Sequence, residues 1–519
     1  MAQSDELILL NGRVQPLGGH APVEAAFVRD GRVVALGTES EIRTLAPGAE
    51  TLDLEGGTAT PGFTDAHVHW TEWAMGRTRV NVALDTMGEA LEIVRAAAGN
   101  GGGWLVGRGW DTHLWGGFPT AAALDTVVPD RPVLLESRDM HAAWLNSRGL
   151  REMGITAATP DPEGGEVVRD PATGEPTGVV LERAREMVMA RLPVAGLPEI
   201  LDALESAQAE AHRLGLTGLH SVEPDGLDHA EALRQEGRLR LRLLQHIPVF
   251  KLEEAVRLGL RSGFGGDWIR IGGVKLFLDG TLGSCTAWLR EPYEGTSDHG
   301  IQTLSAEDFR DAASRAAAGG LALTIHAIGD AAVELALDVL STTPRPRALP
   351  HRIEHIQLCP PDLWERAGRS GVVGSVQPCH LLTDVEPAEL HWGYGRSRGA
   401  YPFAALQSAG MTLAFGSDAP VESIDPRLSL YAACARPSPP DVGGAWHPEH
   451  LMTPAEAVAA FTEGPAAAAG LEHRQGRLLP GYDADFTVWD RDPLVSEPEG
   501  IGGIRCRATV VGGRIVFRA

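Results

Sequence analysis

Apolar and polar positions change rhythm along this chain. Over the first 58 residues they alternate in short runs broken by turns, as in LILLNGRVQPL and EAAFVRDGRVVALG, with Asn11-Gly12 and Asp30-Gly31 as hairpin signals. The end of the chain returns to that style in GRLLPGYDADFTVWD and RATVVGGRIVFRA, where Gly512-Gly513 joins two apolar runs. Residues 1–58 and 474–519 are therefore expected to build one composite β-sandwich, although the whole chain lies between them.

In 59–80 and 205–473 the rhythm becomes short apolar strand, then helix. Candidate strands end near His67 and His69, and in LTGLHSVE, LRLRLLQHI, IRIGGVKLFLDG, LALTIHAIGD, HRIEHIQLC, GVVGSVQPC and MTLAFGSDAP. Helical stretches such as EILDALESAQAEAHRLG and DAAVELALDVL separate most of them. Eight strand-helix repeats predict an α/β fold, a parallel sheet closed as a (β/α)8 TIM-like barrel. The alternative, an open doubly wound sheet, offers one crevice at a switch point, whereas a barrel gathers every strand end around one mouth. Residues 81–204 break the pattern with Gly-rich GNGGGWLVGRGWDTHLWGGF, a strand RPVLLES, a helix HAAWLNSRGL and a hairpin in GGEVVRDPATGEPTGVVLE. Long insertions at a barrel's βα loops cover the catalytic end, so this one is read as a lid.

Composition narrows the partners. A chain of 519 residues has room for a buried site, and a net charge of −24 repels nucleic acid and anionic lipid. Five cysteines form no C-x-x-C pair, which fits a reducing, cytoplasmic setting. The leader MAQSDELILL is acidic and only briefly apolar, and no run of 18 apolar residues follows, so secretion and membrane spanning are disfavoured. The expected partner is a small-molecule substrate.

Chemistry concentrates at the strand ends. In PGFTDAHVHW, His67 and His69 are two residues apart on a strand, so both can project toward the barrel axis and share one metal. Lys275, His326, His355 and Asp418 hold the equivalent place in their own strands. Singly, each has an ordinary explanation: a hydrogen-bonded histidine, a snorkelling lysine, a helix-capping aspartate. Jointly they are harder to dismiss, because a barrel has no edge strand and an axial lysine is driven toward its neutral amine, which can take up carbon dioxide as an anionic carbamate.

The order H-x-H, Lys, His, His, Asp on strands one, four, five, six and eight resembles the amidohydrolase superfamily. PGFTDAHVH, VKLFLDGTLGSCTAWL, HAIGDAA, RIEHIQ and FGSDAPV resemble its branch that includes N-substituted formamide deformylase. The likeness runs almost end to end and implies a metal-dependent hydrolase with a flanking β-sandwich. Carried over residue by residue, it places His67, His69 and Asp418 on one divalent ion and His326 and His355 on a second, with carboxylated Lys275 between them. Two zinc ions are favoured, with Mn, Fe or Co as alternatives. The group includes dimers, so a homodimer is entertained, although no interface is legible.

Under that reading a metal-bound hydroxide attacks a carbonyl, and Asp418 is the catalytic base and then acid. The expected reaction is hydrolysis of an amide, formamide or related C–N bond. The alternatives are ester, lactone or carbamate hydrolysis at the same site, and a metal-free scaffold, which would be expected to have lost ligands. Among weaker candidates, Asp65 holds a ligand's tautomer or serves a turn. Asp139, His141, Trp144 and Asn146, in SRDMHAAWLNS, line the pocket from the lid or start a helix. His220 and Gln377 end the second and seventh strands and face substrate. Asp279 and Asp330 have local explanations as a turn residue and an N-cap. Tryptophans 104, 110, 115 and 144 suggest an apolar lid wall or ordinary core, and Arg77, Arg79, Arg108 and Arg138 are candidate carboxylate binders or solvent-facing side chains.

Overall fold

A computed structural model describes residues 6–99, 103–137, 142–162, 165–193, 195–439 and 443–519. Eight parallel strands pair in chain order: β1 (Phe63–Val68), β2 (Leu216–Ser221), β3 (Arg242–Pro248), β4 (Ile269–Phe277), β5 (Leu323–Ala327), β6 (Arg352–His355), β7 (Val373–Val376) and β8 (Leu413–Phe415). A parallel bridge between Val68 and Ala419 joins the last strand's exit to the first strand. Two main-chain bonds hold that seam: Asp418 N–H donates to the His67 carbonyl at 2.7 Å and His69 N–H to the Ala419 carbonyl at 2.9 Å. The sheet is thus a (β/α)8 barrel, as the alternation predicts.

Helices form where a cap meets an apolar stripe. Ser305 caps Ala306–Ala318 by accepting from Asp308 N–H at 3.1 Å, and the helix buries Phe309, Ala312, Ala313 and Ala316, an i, i+3, i+4, i+7 face. Pro454–Ala468 opens on a capping box of Thr453 and Glu456 and buries Phe461, whose ring stacks on Phe63 of β1 with centroids 5.4 Å apart. At Gly464 a Cβ would lie 2.0 Å from the Leu413 carbonyl, so only glycine lets this helix lie against β8.

Both chain ends form the flanking β-sandwich. One sheet holds Glu6–Leu10, Ala25–Arg29, Arg32–Gly37 and Glu50–Asp53; the other holds Arg13–Val14, Thr58–Pro61, Phe486–Trp489, Cys506–Val511 and Arg514–Arg518. Leu7, Leu9, Val28, Leu52, Val488 and Val510 fill the space between them. Asp30-Gly31 and Gly512-Gly513 are hairpin turns with positive φ at both residues. Asn11-Gly12 is not a hairpin: the strands on either side belong to different sheets, so it is a corner. Asn11 supplies the positive φ, and a Cβ on Gly12 would meet the Gly57 carbonyl and Leu54 at 2.5 Å.

Residues 74–203 make a second compact unit around a six-stranded sheet. It contains the predicted strand (Val133–Ser137) and the predicted hairpin (Gly165–Arg169 with Pro176–Glu182). The predicted helix at HAAWLNSRGL is only half right. Ala142–Leu145 is a strand paired on both sides, and the helix is Ser147–Glu152, capped by Asn146. Pairing on two edges and burial on both faces override the local helical preference. Among the described residues no helix is long and apolar enough to cross a membrane.

Candidate metal centre

The seam between β1 and β8 brings the first ligand candidates together. His67 and His69 leave β1 on the same side, and each Nε2 lies 3.3 Å from Asp418 Oδ1. His355 follows from β6, with its ring 4.9 Å from that of His67 and 4.4 Å from that of His326 on β5. Strand alternation alone would send Glu354 and His355 to opposite faces. His355 escapes that rule by adopting φ 74°, and Asp418 adopts φ 61°, two left-handed conformations that cost side chains other than glycine about 1–3 kcal/mol. Backbone strain thus sits on two of the converging groups. Lys275 on β4 is buried beside them, its Nζ 4.8 Å from the centre of the Phe277 ring, which also packs on His326 at 5.0 Å.

The donor chemistry suits a cation. His67, His355 and Asp418 each present a ligand atom, and these atoms lie within 4.8 Å of one another. This trio takes one member from the second of the two ligand sets that the resemblance implies. Asp418 Oδ1 and His355 Nδ1 are buried without a hydrogen-bond partner, an expensive condition that a bound ion relieves. His326 Nε2–H donates to the Gly280 carbonyl at 3.0 Å, which leaves Nδ1 as its free lone pair. A second trio, His69, Glu72 and Glu223, has another explanation. Glu223 accepts from Thr71 N–H at 2.6 Å and Glu72 N–H at 2.7 Å, capping the helix Trp70–Thr78.

Electrostatics follow from burial and neighbours. Burial pushes the His326 imidazole down to about 3, with Lys275 adding to it, and holds His355 well below its usual range, keeping both rings neutral with a lone pair each to offer. Burial pushes the Lys275 amine down to about 8 against the pull of Glu354 and Asp418. For Asp418 burial acts upward, but the neighbouring imidazoles, His67 first and then His380 and His69, hold the carboxyl well below the usual carboxylate range.

A model of the amidohydrolase family matches residues 50–517. The chain belongs to this family. Similar proteins include YtcJ of Bacillus subtilis (strain 168), 32% identical across 95% of this chain and 96% of that protein. Another is the N-substituted formamide deformylase of Arthrobacter pascens, 28% identical across 95% of both chains. Among solved structures, an uncharacterized metal-dependent hydrolase from Pyrococcus furiosus superposes with a TM-score of 0.80 at 30% identity, covering 94% of this chain and all of that one. Family and neighbours together support a metal-dependent hydrolase.

Within this amidohydrolase chain several weaker candidates sit elsewhere than the sequence suggests. His220 is not at the mouth: its Nδ1 accepts from Arg352 Nη1 at 3.0 Å inside the barrel, and it lines a cavity with Thr64, Thr217 and Arg270 at the strands' N-terminal ends. Asp65 holds backbone rather than a ring, accepting from His67 N–H and Ser417 N–H, both at 3.0 Å. Trp144 is fully buried in the core of the 74–203 unit with Trp110, and its indole N–H donates to the Thr120 carbonyl at 2.9 Å; this is a packing position. Gln377 is buried at the end of β7, donating to the Ser375 carbonyl at 3.2 Å, with Oε1 unpartnered. Asn146 is a helix cap. Arg138, Asp139 and His141 lie outside the described residues. Asp279 accepts from Trp288, Ile328 and Gly329 N–H groups, and Asp330 begins its helix one position after the cap, accepting from Arg290 N–H at 2.9 Å. Arg79 pairs with Glu136 at 3.3 Å.

Three residues that the sequence reading passed over belong to the centre. Glu354 Oε2 accepts from His67 Nδ1–H at 2.5 Å. Arg352, with no exposed surface, grips Glu354 from beside it on the same strand. His380, in the short turn after β7, brings Nε2 to 3.4 Å from Asp418 Oδ2. The legible signal was two charged residues, two apart, in a strand that had to be buried.

Proposed function

We propose that this protein hydrolyses a C–N bond, in an amide, formamide or related small molecule, at a centre of two divalent ions, with zinc favoured. The observation that carries the reading is the convergence of four histidines and Asp418 from four barrel strands, with buried lone pairs left without hydrogen-bond partners. His67, His69 and Asp418 would hold one ion and His326 and His355 the other, with Lys275, in its carboxylated form, between them. Ions bound there lower the pKa of a coordinated water and polarise the substrate carbonyl.

The chain's own groups supply the rest. Asp418 stays ionised, and its Oδ1 faces the gap between His67 and His69, where it takes a proton from the attacking water and returns it to the departing amine. His380, on the other carboxylate oxygen, keeps Asp418 turned toward that gap. Phe277, half exposed beside His326, presents an apolar surface at the same end of the barrel. Its neighbourhood suits a substrate whose cleaved bond adjoins an apolar group.

Elemental analysis of the purified protein tests the metal, with a stoichiometric transition metal as the expected result. Amine release from a panel of N-formyl, N-acyl and aromatic amides, set against acid release from matched esters, tests the bond. Protein without stoichiometric metal overturns the first part; a clear preference for esters overturns the second.

A further inference from the structure

We propose that Glu354, braced by Arg352, is a positioning residue that fixes the tautomer and orientation of His67. The proposal rests on the metal-centre reading above and adds a residue to it. Glu354 has no exposed surface, and its Oε2 sits 2.5 Å from His67 Nδ1. A carboxylate there accepts, so the ring proton resides on Nδ1 and the lone pair on Nε2, the atom that faces Asp418 Oδ1 at 3.3 Å. Glu354 cannot swing away. Arg352 Nε donates to its Oε1 at 2.5 Å and Nη2 to its Oε2 at 2.8 Å. Arg352 is itself fixed across the barrel: Nη2 donates to Ser375 Oγ on β7 at 2.6 Å and to the Ala66 carbonyl on β1, and Nη1 donates to His220 Nδ1 on β2 at 3.0 Å.

One guanidinium therefore sets the distance between β6, which carries the carboxylate, and β1, which carries the ligand. Asp65, the acid closest in sequence, holds main chain instead, its Oδ1 accepting from the N–H groups of His67 and Ser417. A purely structural ion pair would not need to aim one oxygen at an imidazole nitrogen whose partner atom faces the cation gap.

The test compares two variants that leave no lone buried charge: R352M/E354Q, which keeps an acceptor for Nδ1–H, and R352M/E354L, which does not. The readout is the dissociation constant of Co2+ from metal-free protein, by competition with a chelator, together with the cobalt absorption spectrum. R352M/E354L is expected to bind Co2+ about 10–100-fold more weakly than wild type with a shifted spectrum. R352M/E354Q is expected to recover most of that loss. Equal affinity in both variants overturns the proposal. Wild type that binds no Co2+ overturns instead the metal-centre reading.

If R352M/E354L does not fold, wild type alone decides. With 15N-labelled histidine and His67 assigned through H67Q, the Nδ1–H tautomer supports the proposal and the Nε2–H tautomer overturns it.

Discussion

At the scale of single residues, the site depends on groups held where local preference would not put them. His355 and Asp418 occupy left-handed backbone that the surrounding strands impose. Asp418→Asn removes the proposed base, so turnover should fall about 10²–10⁴-fold while the thermal melt stays cooperative. Near-normal turnover in that variant would remove Asp418 from the mechanism. The six ligand candidates were readable because each is a polar residue closing an apolar run. Glu354 and Arg352 were not singled out, because inside RIEHIQ they read as the polar half of an alternating strand; only a closed barrel, with both faces covered, makes them a buried pair. His220 misled in the opposite way: it ends a strand like the ligands, yet it contacts Arg352 deep in the interior.

At the scale of elements, stability can be assigned to particular ends. The helix Leu197–Arg213 leads into β2, and His212, in its last turn, donates from Nδ1 to the Leu216 carbonyl at 3.1 Å, leaving Nε2 buried without a partner. A second proton would have to sit on that unpartnered nitrogen, so burial, with Arg240 adding to it, pushes the imidazole down to about 4. The unfolded chain takes up this proton near pH 6.5, whereas the folded chain resists until about pH 4. Stability is therefore complete above pH 6.5 and falls as the pH drops toward 4, by about 3 kcal/mol in all. His212→Gln should flatten that part of a urea-denaturation profile, and an unchanged slope would assign the acid sensitivity elsewhere. Thr453→Ala, which breaks the capping box on Pro454–Ala468, should cost about 1 kcal/mol in the same assay; no change would show that tertiary packing alone holds that helix. The barrel strands were legible from periodicity. Asn11-Gly12 and the segment at 142–145 were not, because each is decided by which distant strand it meets.

At the scale of the whole molecule, the two termini complete one another. Thr58–Pro61, just before β1, pairs antiparallel with Phe486–Trp489, and the Trp489 indole N–H donates to Thr60 Oγ1 at 2.9 Å in a buried position. The Trp489 ring also packs on Phe63 at 5.1 Å, so the C-terminal strand supports the first strand of the barrel directly. Removing residues 484–519 should leave an insoluble chain rather than a smaller active one. A soluble truncation with wild-type metal content would show the barrel to be self-sufficient. Strand-helix alternation was enough to infer the barrel, and matching β-rich ends were enough to infer the sandwich.

The seam between β1 and β8 has a consequence during synthesis. Its two main-chain bonds run through His67, His69, Asp418 and Ala419, so three of the four residues that zip the cylinder shut are also ones that would cage the cation. A nascent polypeptide that has emerged only as far as residue 417 lacks both, however much of it has already condensed. Closure of the cylinder and assembly of the proposed cage therefore depend on the same two bonds.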